Sequence, residues 1–419
     1  MNTMQNSRTI GRGLVAAAML GASSMTALAA DSYTATPIPP VDGGTGTVGY
    51  GVNDSGVVVG QADLGSVLVA FVYMNGVSTA LPLLPGGSDA KAWSVNANNV
   101  VVGECRDGNN ITRPVKWEFD GVNGWTVTDL GTLASGNAGF GVATRINDVG
   151  QIVGYSTAAI PGGYHATVWD GGTKVDAGTL GFSGNLAYSQ GLGINNLGAV
   201  TGFAYAVLAG PEHGLYYAPP ARAEDVTPEG RFGLAQWHNV NDFGVLAGYV
   251  SEPTLTSGMQ PATYIGGSGI TLIPLLDGLP EGYGYDINND GTVVGAMFLL
   301  APVPDPNIFT AFKYEGGATV DLNAVTTGLP GLMTEARDVA NAGLIVGTSD
   351  IGGNAQAVLL TPVTPCPADF NGQGGVSVQD IFDFLSAWFT VSPTADINGD
   401  RNVTVQDIFD FLAHWFGGC

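Results

Sequence analysis

The 419-residue sequence predicts a mainly β protein: a seven-bladed β-propeller followed by a small all-α C-terminal module. Three observations carry that expectation. A short turn-and-strand pattern recurs seven times at a near-constant interval, five copies reading apolar–Asn–x–x–Gly, each copy is surrounded by short strand-like runs, and the last fifty residues switch to duplicated helical spacing.

In chain order, residues 1–30 hold Arg8 and Arg12, an apolar stretch from Leu14 to Leu20 and the small residues Ala27, Ala29 and Ala30. That order reads as a cleaved secretory signal, which places the mature protein in the extracellular space or at a cell surface. No other stretch reaches the roughly 18 apolar residues of a membrane-spanning helix. The chain has 13 basic and 36 acidic residues and a net charge of −23, which becomes −25 once Arg8 and Arg12 leave with the signal. Such a charge excludes nucleic acid and anionic membrane surfaces as partners and favours cations.

Residues 31–361 form the repeat region. The copies are VNDSGVVVG from Val52, VNANNVVVG from Val95, INDVGQIVG from Ile146, INNLGAVTG from Ile194, VNDFGVLAG from Val240, INNDGTVVG from Ile287 and VANAGLIVG from Val339. Each reads as two strands joined by a tight turn, in which Asn supplies an Asx turn and Gly a positive φ. A third apolar run follows every copy, as in VAFVY from Val69 and HATVW from His165, and a fourth follows several, as in WTVTDLGTL from Trp125. Four short strands per 40 to 50 residues describe a propeller blade, with an open β-solenoid as the alternative. The seventh copy ends after its third strand, and SYTATPIPP from Ser32 supplies the missing fourth, closing the ring and removing its edges. The pairing of INDVGQIVGY with YHATVWDGG resembles the HAF family of bacterial extracellular repeats, although only His165 keeps the His-Ala pair. That resemblance implies an exported repeat protein and no particular chemistry.

Within the repeats there is no G-x-S-x-G, H-E-x-x-H, phosphate-loop or C-x-x-C motif. His165, His213 and His238 are expected to be hydrogen-bonded packing residues. Asp148, Asp242 and Asp286 are candidates for paired-carboxylate chemistry but also read as turn residues. Trp93, Trp117, Trp125, Trp169 and Trp237 are expected mainly to pack blades, with some left to stack on carbohydrate. Cys105 is expected to be a buried thiol.

After a Pro/Thr linker at 362–365, residues 366–419 carry VQDIFDFL twice, from Val378 and from Val405. Oxygen-bearing residues occupy positions 1, 3, 5, 9 and 12 of two loops: Asp369, Asn371, Gln373, Ser377 and Asp380, then Asp396, Asn398, Asp400, Thr404 and Asp407. With the backbone carbonyls of Gly375 and Asn402 at position 7, this is the spacing of an EF-hand-type loop and predicts two Ca²⁺ ions. Gln373 removes a charge from the first loop, which is expected to bind more weakly. The apolar residues Ile381, Phe382, Phe384, Leu385, Trp388 and Phe389, and their counterparts from Ile408 to Phe416, predict two helices burying one wide face against each other. Cys366 and Cys419 bracket the module, and an oxidising compartment predicts their pairing.

Two such loops, each followed by one helix, resemble the dockerin family. The resemblance implies docking to a cohesin-like or other cell-surface partner, with Val378, Gln379, Val405 and Gln406 as the residues the partner reads. Their identity in both copies implies two docking orientations. It also leaves three functional expectations: a non-catalytic propeller carried by the docking module, a polysaccharide-degrading hydrolase or lyase of the dockerin-bearing type, or a structural surface protein with a calcium-stabilised tail.

Overall fold

Each Asn–x–x–Gly turn joins two antiparallel strands because its glycine lies in the left-handed region, with φ between 76° and 90° at Gly56, Gly150, Gly198, Gly244, Gly291 and Gly343. Where the second copy lacks that glycine, Asn99 takes the same conformation at φ 60°. The structure is a computed structural model that describes residues 32–122, 124–158, 163–182, 187–205, 211–227, 233–251, 258–266, 268–300, 307–363, 366–372, 376–398 and 402–417. The 1–30 signal, Gln373, Gly375, Asp400 and Cys419 lie outside the described residues.

The turns organise seven sheets into a seven-bladed β-propeller. Blade 1 contains the strands Thr47–Val52, Val58–Leu64, Val67–Met74 and Val77–Ala80, paired in sequence order. Blades 2 to 6 repeat that order and open with Ala90–Val95, Gly141–Ile146, Tyr188–Ile194, Leu234–Val240 and Glu281–Ile287. Blade 7 takes Leu332–Val339, Ile345–Ile351 and Asn354–Pro362 from the end of the repeats. Its fourth strand, Tyr33–Pro37, comes from the start of the chain and pairs antiparallel with Asn354–Pro362. The expected closure is therefore present. A two-residue strand, Thr326–Thr327, adds a parallel fifth member that the sequence pattern did not suggest. It follows α1, Leu322–Val325, whose N-cap Asp321 accepts the Asn323 amide.

The core is distributed among the seven interfaces between blades. Between blades 1 and 2, for example, Val59 and Val72 meet Ala92, Val115 and Trp117. Between blades 7 and 1, Val346 and Leu359 meet Val58 and Phe71. Trp117, Trp169 and Trp237 are buried in such interfaces, donating their indole N–H groups to the carbonyls of Pro82, Gly131 and Val226. Cys105 is buried and free, its sulfur accepting the Leu84 amide at 3.3 Å.

The repeated asparagines clasp neighbouring blades. The Nδ2 of Asn53 donates to the Asn96 carbonyl at 2.9 Å, Asn96 to Asn147 at 3.0 Å, and Asn147 to Asn195 at 2.9 Å. Asn195 donates to Asn241 at 2.9 Å, Asn241 to Asn288 at 3.0 Å and Asn288 to Ala340 at 3.2 Å. The Oδ1 atoms meanwhile accept amides of their own turns; that of Asn241 takes Phe243 and Val245 at 3.1 and 3.0 Å. One side chain thus shapes its own turn and donates to the next blade, a double role open to an amide, which carries both an acceptor oxygen and donor N–H groups. The following position adds a second set of clasps: Asp148 accepts the Ala97 amide and Asp242 the Asn196 amide. Asp148 and Asp242 are turn residues, as expected.

The tail holds α2, Val378–Phe389, and α3, Val405–Gly417. Phe384 and Phe411 stack at 4.2 Å with their planes 3° apart, and Phe370 meets both edge-on. Ile381, Leu385 and Trp388 surround them with their counterparts Ile408, Leu412 and Trp415. The expected single wide buried face is corrected here, because Phe382, Phe389, Phe409 and Phe416 are exposed. Two helices of this length close around a pair of central rings and cannot bury six large residues each. Cys366 is disulfide-bonded. No helix among the described residues is long and apolar enough to cross a membrane.

Candidate functional site

Two regions gather chemistry-bearing side chains: the paired loops of the tail and the central channel of the propeller. In the tail, Asp380 and Asp407 sit in the first turns of α2 and α3 and are fully buried. Asp380 accepts the backbone amides of Asn371 at 3.1 Å and Ser377 at 2.8 Å, and the Ser377 hydroxyl at 2.8 Å. Asp407 accepts those of Ile397 at 2.9 Å and Thr404 at 2.7 Å. Burial acts to raise both carboxyl pKa values, but these hydrogen bonds outweigh it and hold them below the usual carboxylate range. Position 12 of each loop is therefore an ionised anchor, reached from positions 3 and 9 in the first loop and from positions 2, 3 and 9 in the second.

The two copies match in detail. Asn371 and Asn398 turn their amide nitrogens to Asp383 and Asp410, each at 3.1 Å. Gln379 and Gln406 donate to the same two aspartates, each at 2.9 Å. The Trp388 indole reaches the Thr404 carbonyl at 2.6 Å while Trp415 reaches Ser377 at 3.2 Å, so each helix is tied to the other helix's loop. Asp369, Asn371, Ser377 and Asp380 in one loop, and Asp396, Asn398, Asn402, Thr404 and Asp407 in the other, are oxygen-bearing residues, the donor type that suits a hard cation such as calcium. No group of three or more His, Cys, Asp or Glu side chains suited to a metal occurs among the described residues. Val378 and Val405 are about 60% exposed at 59% and 57%, and Gln379 and Gln406 are exposed beside them.

The channel is built from the first strand of every blade. Each carries a β-bulge that leaves a residue out of register, Tyr50, Trp93, Thr144, Leu192, His238, Tyr285 and Arg337, and the blade 7 strand has a second shift at Thr334. A bulge kinks its strand and re-aims a side chain, and here all seven line one open cavity of about 400 Å³. Opposite each bulge stands the glycine that closes the repeat motif, such as Gly60 and Gly248, where a Cβ would collide with the facing carbonyl of Val48 or Gln236. That final glycine, present in all seven copies, was the available sequence signal for the bulge.

One residue deeper, Arg145 of blade 3 crosses the channel to Asp286 of blade 6 at 2.6 Å and Asp338 of blade 7 at 2.5 Å. Asp286 also accepts the Val339 amide at 2.8 Å and the Asn239 amide nitrogen, while Asp338 accepts the Val52 amide at 2.7 Å. Asp286 is thus a buried strand residue, correcting its reading as a turn. Burial acts to raise the Asp286 carboxyl, yet Arg145 draws it below the usual range; burial prevails at Asp338, which lies well above. The two carboxyls are thus unequal, Asp286 favouring its ionised form beside Arg145 and Asp338 its protonated form. Arg145 separates the aromatic mouth from a smaller polar cavity of about 130 Å³ at the Asn turns.

At the mouth, Trp93 lies 4.5 Å from Tyr50, and Arg337 sits 4.3 Å above Tyr285 while pairing with Glu335 at 2.6 Å. His238 stacks on Tyr285, and its Nδ1–H donates to the Gly284 carbonyl at 2.8 Å. Burial lowers its pKa to about 4, so the ring is neutral near pH 7. His165 and His213 instead bond Asp176 and Asp225 within their own blades. All three are hydrogen-bonded, as expected, but only His238 reaches the channel.

Neither a protein-family model nor a curated relative matches the sequence. Among solved structures, the chain is similar to TolB from Acinetobacter baumannii at 12% identity and a TM-score of 0.39, covering 62% of this chain and 63% of that one. An oligogalacturonate lyase in complex with manganese gives 9% identity and a TM-score of 0.46, with 80% of this chain and 94% of that one covered. A six-bladed β-propeller lectin that recognises fucose, from Aleuria aurantia, gives 12% and 0.30, with 58% and 77% covered. The chain therefore spans less than two thirds of TolB, and similarities at this level carry no argument about activity.

Proposed function

We propose that the protein is an exported, non-catalytic β-propeller of HAF-like repeats carried by a dockerin-like module, which binds two calcium ions and docks to a cohesin-like or other cell-surface partner. The observation that supports this most is the internal symmetry of the tail. Two loop-and-helix units share a stacked Phe384–Phe411 centre, exchange indole-to-carbonyl bonds and each enclose an ionised aspartate. Bound calcium would supply the charge that joins each loop's oxygens, and Asp380 and Asp407 would hold it from the helix side. Symmetry also repeats the exposed Val378–Gln379 pair as Val405–Gln406, giving a partner two equivalent surfaces.

Support for a non-catalytic propeller comes from the channel carboxylates. Asp286 and Asp338 are buried, and both are tied up by backbone amides and by Arg145, so neither carboxyl projects free toward a substrate. Calcium titration of the mature protein by calorimetry should give two sites of unequal affinity, and immobilised protein should retain a cell-surface protein in calcium and release it in chelator. Absence of a calcium-dependent heat overturns the docking assignment, and turnover of a polysaccharide overturns the non-catalytic one.

A further inference from the structure

We propose that the mouth of the propeller channel, continued into the cleft between blades 6 and 7, binds a neutral sugar chain. The mouth cavity of about 400 Å³ and a cleft of about 480 Å³ share Tyr285 and Arg337, so they form adjoining subsites within the range of ligand-binding pockets. This rests on the reading of the propeller as a binding scaffold and adds the ligand and its place.

Among the described residues six buried side-chain polar atoms have no hydrogen-bond partner, and three of them, Trp93 Nε1, Arg337 Nε and Thr348 Oγ1, belong to residues that line these cavities. Buried polar groups are ordinarily satisfied, and small side-chain shifts at these three would turn them to a ligand in the cavities. Beside them stand the rings of Trp93, Tyr50 and Tyr285. A pyranose matches both features, because its C–H face packs on an aromatic ring while its hydroxyls both donate and accept.

The charges at the mouth select a neutral sugar. Arg337 is paired with Glu335, Lys91 lies 4.0 Å from Glu104, Arg145 is held by Asp286 and Asp338, and His238 is uncharged. The mouth therefore offers no surplus cation, and the acidic chain around it repels anions.

The test titrates the full mature protein with neutral gluco-, xylo-, manno- and galacto-oligosaccharides, and with oligogalacturonides as the acidic arm, by calorimetry and tryptophan fluorescence. At least one neutral series should bind, with the oligosaccharide tighter than its monosaccharide because two subsites are filled. Tyr285→Ala and Arg337→Met should weaken binding by about tenfold or more, as expected for central contacts. Trp93→Phe retains the ring, removes the N–H and should weaken binding while leaving the circular dichroism unchanged. Trp125→Phe, on the outer strand of blade 2, should leave binding unaltered. Failure of every neutral series, tighter binding of the acidic arm, or full affinity in Tyr285→Ala and Trp93→Phe overturns the proposal. Performing the titration in calcium and in chelator separates it from the tail, because sugar binding at the mouth should persist when docking is abolished.

Discussion

Replacing Asn241 with aspartate tests the interblade clasp without disturbing the turn. The change keeps an acceptor for the Phe243 and Val245 amides but removes the donor to the Asn288 carbonyl at 3.0 Å. Losing that bond removes about 1 kcal/mol, and leaving the buried carbonyl unpaired against a carboxylate adds about 1–3, so Asn241→Asp should destabilise the protein by roughly 2–4 kcal/mol at pH 7. The introduced carboxyl faces a carbonyl oxygen and is buried, which raises its folded pKa above the unfolded value of about 3.9. Its protonated form can donate the missing bond, so the deficit relative to the parent should be full at neutral pH and shrink as the pH falls through the raised pKa. Urea unfolding of parent and variant at pH 7 and at mildly acidic pH measures both quantities. Equal stability at pH 7, or a deficit that grows on acidification, would refute the clasp.

Arg145→Met leaves Asp286 and Asp338 together without their cation and should destabilise by about 3–5 kcal/mol at neutral pH, with part recovered when Asp286→Asn is added; urea midpoints decide it. Because Asp338 holds its proton well above the usual range, its own contribution is full in acid and falls as the pH rises towards that raised pKa, whereas the contribution of Asp286 is lost as the pH falls. Gly248→Ala drives a methyl group into the Gln236 carbonyl and should destabilise by about 3 kcal/mol or prevent folding, measured by soluble yield and urea unfolding. Asp380→Asn and Asp407→Asn should each remove one calcium-binding step from the calorimetric titration, and the heat that each variant retains assigns the weaker site.

Much of the architecture was legible because it follows from short-range rules. The seven turns require a residue that accepts a positive φ, and six of them also carry an Asn that caps its own loop, so their spacing alone counted the blades. The truncated seventh repeat and the strand-like start at Ser32 foretold the closure by Tyr33–Pro37 for the same reason: an unpaired edge needs a partner. The helical tail was legible as two duplicated helices whose apolar spacing included Phe384 and Phe411, though the structure alone made those two its centre. The exposure of Phe382 and Phe409 was not, since spacing reports a helix face but not how much of it the neighbour covers.

Thus the sequence by itself determined the blade number, the ring closure and the two loop-and-helix units, all of which depend on residues close together or on repeated local patterns. Only the tertiary structure decided what meets at the axis. Tyr50, Trp93, His238, Tyr285 and Arg337 are separated by dozens of residues and follow no common residue type, only the two tyrosines being alike, yet equivalent bulges bring them to one mouth. The Arg145–Asp286–Asp338 cluster arises in the same way, because closing the ring sets blade 3 within reach of blades 6 and 7. A repeat specifies where each side chain sits in its own blade; the closed circle determines which of them become neighbours.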